Sequence, residues 1–93
     1  MRIGSCKVEV YIPNTTSLKD KRGVIKGLKK RIHNKFNVAI SEIEKNDNHK
    51  ISILVIVTVS NERRYVDKLL SSVVNFMEHQ KEFEIENFSI EVF

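Results

Sequence analysis

The segment KISILVIVTVS, residues 50–60, constrains the fold more than any other part of the chain. Successive side chains of a strand point to opposite faces, and here both sets are apolar. Leu54 and Ile56 are apolar on one face, and the other face carries Ile51, Ile53, Val55, Val57 and Val59. A strand that is apolar on both sides needs cover on both, so we predict a central strand. We assign the five-residue face to the side of the helices, which leaves Leu54 and Ile56 on the opposite, open face.

Each of the segments on either side of this strand has an apolar pattern typical of either a strand or a helix. Period-two alternation predicts strands, whereas apolar residues at steps of three and four predict helices. We predict strands over residues 3–12, 36–44 and 83–93, and helices over about 18–34 and 62–79. The order is βαββαβ, which defines an α+β, ferredoxin-like two-layer sandwich with two helices on one face of a four-stranded antiparallel sheet. Ninety-three residues provide one core, so residues 1–93 are predicted to form a single domain.

Local signals refine these boundaries. Ser17 followed by Asp20 resembles a capping box at the start of the first helix, and Asn61 is a candidate cap for the second. The polar run at residues 45–49 predicts a turn before the central strand. The apolar phase of the last strand shifts between Ile85 and Phe88, which indicates a β-bulge.

The first predicted helix is strongly basic. Between Lys19 and Lys35 there are eight Lys or Arg residues and one acidic residue, Asp20. Cations concentrated on one helix face are typical of proteins that bind phosphate backbones, although a row of lysines can also be simply a solvated face. The candidate nucleic-acid contacts are Lys19, Lys21, Arg22, Lys26, Lys29, Lys30 and Lys35.

Three motifs relate the chain to a known family. SLKDKR at 17–22 opens a basic helix, FNV at 36–38 starts the next strand, and VTVSN lies at 57–61. In these motifs the chain resembles the YlxP-like family of small bacterial proteins. The resemblance implies a ferredoxin-like fold, and because the family's usual gene neighbours are translation and ribosome-maturation factors, it implies RNA or a ribosomal particle as the partner. Gly23 and Gly27 depart from the resemblance, which leads us to expect Arg and Ser there.

The predicted open face of the sheet suggests self-association. Leu54 and Ile56 would lie there beside Ala39 and Ile43 of the neighbouring strand, and large aliphatic side chains at the centre of a sheet need cover. A second copy of the chain is the simplest cover, so we expect a homodimer with Leu54 and Ile56 in its interface. The alternative is that long neighbouring side chains such as Lys7 shield them within one chain. The alternative function is a dimeric regulatory or interaction module that binds an acidic protein or a small anion.

Other functions find little support in the sequence. Cys6 lies on the predicted core face of the first strand, and His33, His49 and His79 show no metal-ligand spacing, so we expect no enzyme activity, cofactor or metal site. The N-terminal residues alternate between polar and apolar and lack the apolar core expected of a signal peptide, and no apolar run approaches the length of a membrane span. We therefore expect a cytoplasmic protein without a membrane partner.

Overall fold

A computed structural model describes residues 1–43 and 48–93 of the chain. Its elements in chain order are β1 (Arg2–Tyr11), α1 (Leu18–Lys35), β2 (Ala39–Glu42), β3 (Ile51–Ser60), α2 (Arg63–Glu78) and β4 (Glu84–Val92). The four strands form one antiparallel sheet in the order β2-β3-β1-β4. This is the predicted ferredoxin-like arrangement, with β3 in the interior of the sheet. Residues 45–47 of the predicted turn, and residue 44 at the end of the predicted second strand, lie outside the described residues.

The core lies between one face of the sheet and the two helices. Strand β1 supplies Cys6, Val8 and Val10, all fully buried, as its alternation predicts. The helices add apolar stripes at helical spacing, which consist of Ile25, Leu28 and Ile32 in α1 and Val66, Leu70, Val73, Val74 and Met77 in α2. These residues belong to one continuous hydrophobic cluster, which therefore fixes both helices on the same sheet face.

The predicted orientation of β3 is wrong. Leu54 and Ile56 are fully buried, and in the ladder they lie opposite Val8 and Cys6, on the side of the helices. Residues paired across a ladder share a face, so the core face of β1 determines which face of β3 is covered. The open face therefore carries Ile51, Ile53, Val55, Val57 and Val59, and Leu54 and Ile56 cannot form an interface there.

Two polar residues of β3 are also buried on the core face. The hydroxyl of Ser52 donates to Glu42 Oε2 at 2.6 Å, and the hydroxyl of Thr58 donates to the carbonyl of Asn37 at 3.1 Å. Because both hydroxyls have partners, the cost of burying them is offset. Because these two polar residues lie at the ends of the covered face, that face looks solvent-exposed when only the sequence is considered.

The predicted details of the element ends are partly confirmed. Ser17 Oγ accepts a hydrogen bond from the backbone N–H of Asp20 at 3.1 Å, so the cap of α1 is present. Helix α2 instead begins after Glu62, which makes no side-chain capping bond, so the prediction of Asn61 as its cap is wrong. The bulge in β4 is confirmed, since Glu9 and Val10 pair with Asn87 and Ile85 and leave Glu86 as the extra residue.

Candidate nucleic-acid interface

The outer face of α1 carries a row of four exposed cations, Lys19, Arg22, Lys26 and Lys30. Steps of three and four residues place them on one side of the helix, and the eleven rises of about 1.5 Å between Lys19 and Lys30 give the row a length of roughly 16 Å. In the described part of the chain the ion pairs involve Lys21, Arg31 and Arg63, and none of the four belongs to them. We call these four residues the basic row.

Lys21 does not belong to this surface. Its residue exposure is 3%, and its ammonium donates to the carbonyl oxygens of Ile51 at 2.7 Å and Asn48 at 3.2 Å. The carboxylate of Glu42 lies 3.6 Å from the same nitrogen. The prediction of Lys21 as a phosphate contact is therefore wrong. Lys21 lies four residues before Ile25, on the buried stripe of α1, and that spacing was the available signal.

The remaining predicted cations differ in how freely they can reach a ligand. Lys29 is half-buried beside the buried stripe. Lys35 is exposed, but its ammonium lies 5.0 Å from the centroid of the Phe76 ring and 5.9 Å from that of Phe36. Such contacts attract a cation to the ring face, so Lys35 has a competing partner at the C-terminal end of α1. Arg31, which was not among the candidates, forms an ion pair with Glu82 at 2.9 Å.

The N-terminus of α1 is occupied by the chain's own carboxylate. Asp20 Oδ2 accepts from the hydroxyl of Thr16 at 2.6 Å and from its backbone N–H at 3.2 Å. These hydrogen bonds from Thr16, with the nearby Lys19 charge, lower the pKa of Asp20 below its ordinary value. A negative charge in this position opposes a second anion, so the basic row is the better place for phosphate contacts.

The loop before α1 is held rigidly by long-range contacts. The hydroxyl oxygen of Thr15, which is buried, lies 2.6 Å from the carbonyl oxygen of His49 and 2.9 Å from that of Ile12, so its one hydrogen is shared between these two acceptors. The ammonium of Lys50 donates to the carbonyls of Pro13 at 2.7 Å and Thr15 at 3.0 Å. These bonds fix where α1 begins, and they therefore fix the position of the basic row relative to the sheet. Sequence reasoning did not identify Thr15 and Lys50 in this role.

The residues considered for chemistry are not arranged for it. Cys6 is fully buried, and burial raises the pKa of its thiol to about 11, so the nucleophilic thiolate is disfavoured. Across residues 1–43 and 48–93, no three His, Cys, Asp or Glu side chains are grouped so that they could hold a metal ion. Neither helix within those ranges is long and apolar enough to cross a membrane.

The fold and the basic row together define a ferredoxin-like domain with a cationic helix on its surface. The chain belongs to the family described as "Protein of unknown function (DUF503)", which it matches over residues 3–90. It is also similar to the "Uncharacterized protein YlxP" of Bacillus subtilis (strain 168), with 39% identity over 82 residues. That match covers 88% of this chain and 89% of the relative, so the resemblance to the YlxP-like family is confirmed.

Proposed function

We propose that this protein is a non-enzymatic, cytoplasmic RNA-binding domain, whose target is an RNA or a ribosomal particle. The observation that carries the proposal is the basic row, whose four exposed cations lie on one side of α1 and take no part in the ion pairs of residues 1–43 and 48–93. Cations placed in this way neutralise phosphates and release condensed counterions, which favours binding. Lys29 and Lys35 are peripheral contacts in this proposal, and Lys21 has no part in it.

Backbone contacts explain this surface better than base recognition does. Ferredoxin-like RNA-binding domains that read bases stack them on aromatic side chains of the sheet. The open face here has aliphatic side chains along β3, and Tyr11 is the aromatic residue of β1, at its end. Recognition through phosphates and RNA shape is therefore expected, with little dependence on sequence.

The salt dependence of RNA binding tests the basic row. Four phosphate contacts at about 0.7 to 0.9 each predict a slope of log affinity against log salt of roughly −3. Replacing Lys19, Arg22, Lys26 and Lys30 by Gln should flatten this slope, and the fold should persist because all four are exposed.

A matched control variant has the same loss of charge elsewhere. Arg2, Arg63, Arg64 and Lys68 are exposed and lie outside α1, and their replacement by Gln should preserve most of the affinity and the slope. Equal losses in the two quadruple variants would show that net charge alone matters. Absence of RNA binding by the unmodified protein would overturn the proposal and direct attention to an acidic protein or a small anion as the ligand.

We also propose that the protein is a homodimer. The open face of the sheet supports this, because β3 presents five aliphatic side chains there and Val59 is 60% exposed. Sedimentation of the purified protein tests the dimer directly. The proposed interface lies on the open face of β3, because Leu54 and Ile56 are buried in the core.

A further inference from the structure

The open face of the sheet has an aliphatic centre beside a charged strand. Ile51, Ile53, Val55 and Val57 are half-buried in the isolated chain, and Ile43, which follows β2, is 47% exposed. On the neighbouring strand β1, Glu9 lies opposite Ile53 and Lys7 lies opposite Val55. The middle of this face therefore combines a hydrophobic row with one positive and one negative side chain, two residues apart.

We infer that a second copy of the chain packs on this face, with its strands antiparallel to those of the first. The two-fold axis lies in the plane between the two sheets and runs perpendicular to the strands. It passes over β3 between Ile53 and Val55. This operation places Ile53 over Val55 of the second copy, and Lys7 over Glu9 of the second copy. By symmetry Glu9 meets Lys7 of the second copy, so the centre of the patch complements itself in charge, while Glu84 and Glu91 of the edge strand β4 come opposite each other at its rim.

The other simple two-fold arrangement is less favourable. An axis parallel to the strands would place β2 over β1 of the second copy. Ser41 and Ile43 would then cover Lys7 and Glu9, because those pairs occupy the same rows of the sheet. Both charges would lose water without gaining a charged partner, and burying an unpaired charge is costly. The antiparallel arrangement avoids this cost.

The face is large enough for a stable dimer. Strands β1 and β3 have ten residues each, which corresponds to a length of about 33 Å, and four strands spaced by about 4.8 Å give a width of about 19 Å. Because β4 has nine residues and β2 only four, the covered area is smaller than that rectangle, about 520 Å² per copy or about 1,050 Å² in total. Specific protein interfaces begin near this size. The inference rests on the proposed homodimer and specifies its interface.

Charge reversal and charge exchange at two positions test this arrangement. In sedimentation, Lys7→Glu should weaken the dimer by about tenfold or more, because each altered side chain meets Glu9 of the second copy. Glu9→Lys should have a similar effect by placing it against Lys7 of the second copy. The double exchange K7E/E9K should restore the affinity to within about threefold of the original, since both pairs are regained with their signs reversed.

A control and two contrary outcomes complete the design. Lys68→Glu on the exposed surface of α2 changes the net charge as Lys7→Glu does, and it should leave the dimer intact. A wild-type protein that remains monomeric at roughly 100 µM, where an interface of this size should hold, would overturn both the homodimer and the arrangement. A stable dimer that is unaffected by either single reversal would overturn the antiparallel arrangement alone.

Discussion

The ammonium of Lys21 donates to the backbone carbonyl of Ile51 at a distance of 2.7 Å, although the two residues are 30 positions apart. This bond connects the first turns of α1 to the start of β3. The same nitrogen also donates to the carbonyl of Asn48 and lies 3.6 Å from Glu42, which in turn accepts from Ser52. The buried ammonium of Lys21 thus connects α1 to β2, to β3 and to Asn48, which lies between those two strands in the chain.

Replacing Lys21 should therefore reduce stability. Lys21→Met keeps the aliphatic stem but leaves the carbonyls of Ile51 and Asn48 without this donor. The expected loss is about 1 to 3 kcal/mol in the free energy of unfolding, measured by urea denaturation. Lys26→Met is the matched control on the exposed face of α1 and should change stability by less than about 0.5 kcal/mol. Similar stabilities for the two variants would contradict the anchoring role of Lys21.

Glycine substitutions at two positions should act in opposite directions. A Cβ atom at Gly4 would collide with Val66 Cγ1 and would lie 2.9 Å from Leu70 Cδ1, because α2 packs closely on β1 there. Gly4→Ala should destabilise the protein by about 1 to 3 kcal/mol. At Gly27 a Cβ atom meets nothing within 4 Å, so Gly27→Ala should stabilise α1 by up to about 1 kcal/mol. Thermal unfolding of both variants checks the contrast, and a stabilising Gly4→Ala would refute the close contact.

The carboxylate of Asp20 should make stability depend on pH in the acid range. Hydrogen bonds from Thr16 lower the pKa of Asp20 in the folded state, so its contribution is complete above the ordinary value of about 3.9. That contribution disappears as the pH falls through the lower, folded-state pKa. Asp20→Asn should thus be less stable than the wild type near neutral pH, with the difference narrowing in strong acid. Urea denaturation at several pH values measures this difference, and a gap that is independent of pH would contradict the assignment.

The thiol of Cys6 should be almost inert in the folded protein. It is fully buried and its pKa is raised to about 11, so very little thiolate is present at neutral pH. A thiol reagent should react slowly with the native chain and rapidly in denaturant. Because the chain has a single cysteine, the labelling rate reports directly on opening of the core. Fast and complete labelling of the native protein would show that β1 is accessible.

The fold followed from the sequence because the two hydrophobic periods were clear. In β1, polar residues such as Lys7 and Glu9 alternate with buried Val8 and Val10, so the core face was unambiguous. Strand β3 offered no such contrast, since Ile53 and Leu54 are both large and apolar. Its orientation depends on pairing with β1, which is a long-range relationship that local alternation does not contain.

The candidate site could likewise be predicted from the sequence only where the spacing of residues along one element determines it. Lys19, Arg22, Lys26 and Lys30 recur at helical spacing on the side opposite the apolar stripe, and all four are exposed. The charge of Lys21 suggests a surface contact, but its spacing from Ile25 and Leu28 places it on the buried stripe. Its partners on β3 come from a distant part of the chain, and only the folded arrangement brings them within reach.

The extra residue Glu86 has a consequence for how large an assembly can become. Strands β2 and β4 form the outer edges of the sheet, and exposed edges invite other chains to add further strands. Here β2 has only four residues, while the irregularity at Glu86 interrupts β4 and negative charges follow one another along it at Glu84, Glu86 and Glu91. Both edge strands thus disfavour the addition of further strands from other chains, and so disfavour filaments. The proposed association through the open face would be self-limiting, because that face is covered once two molecules have packed together.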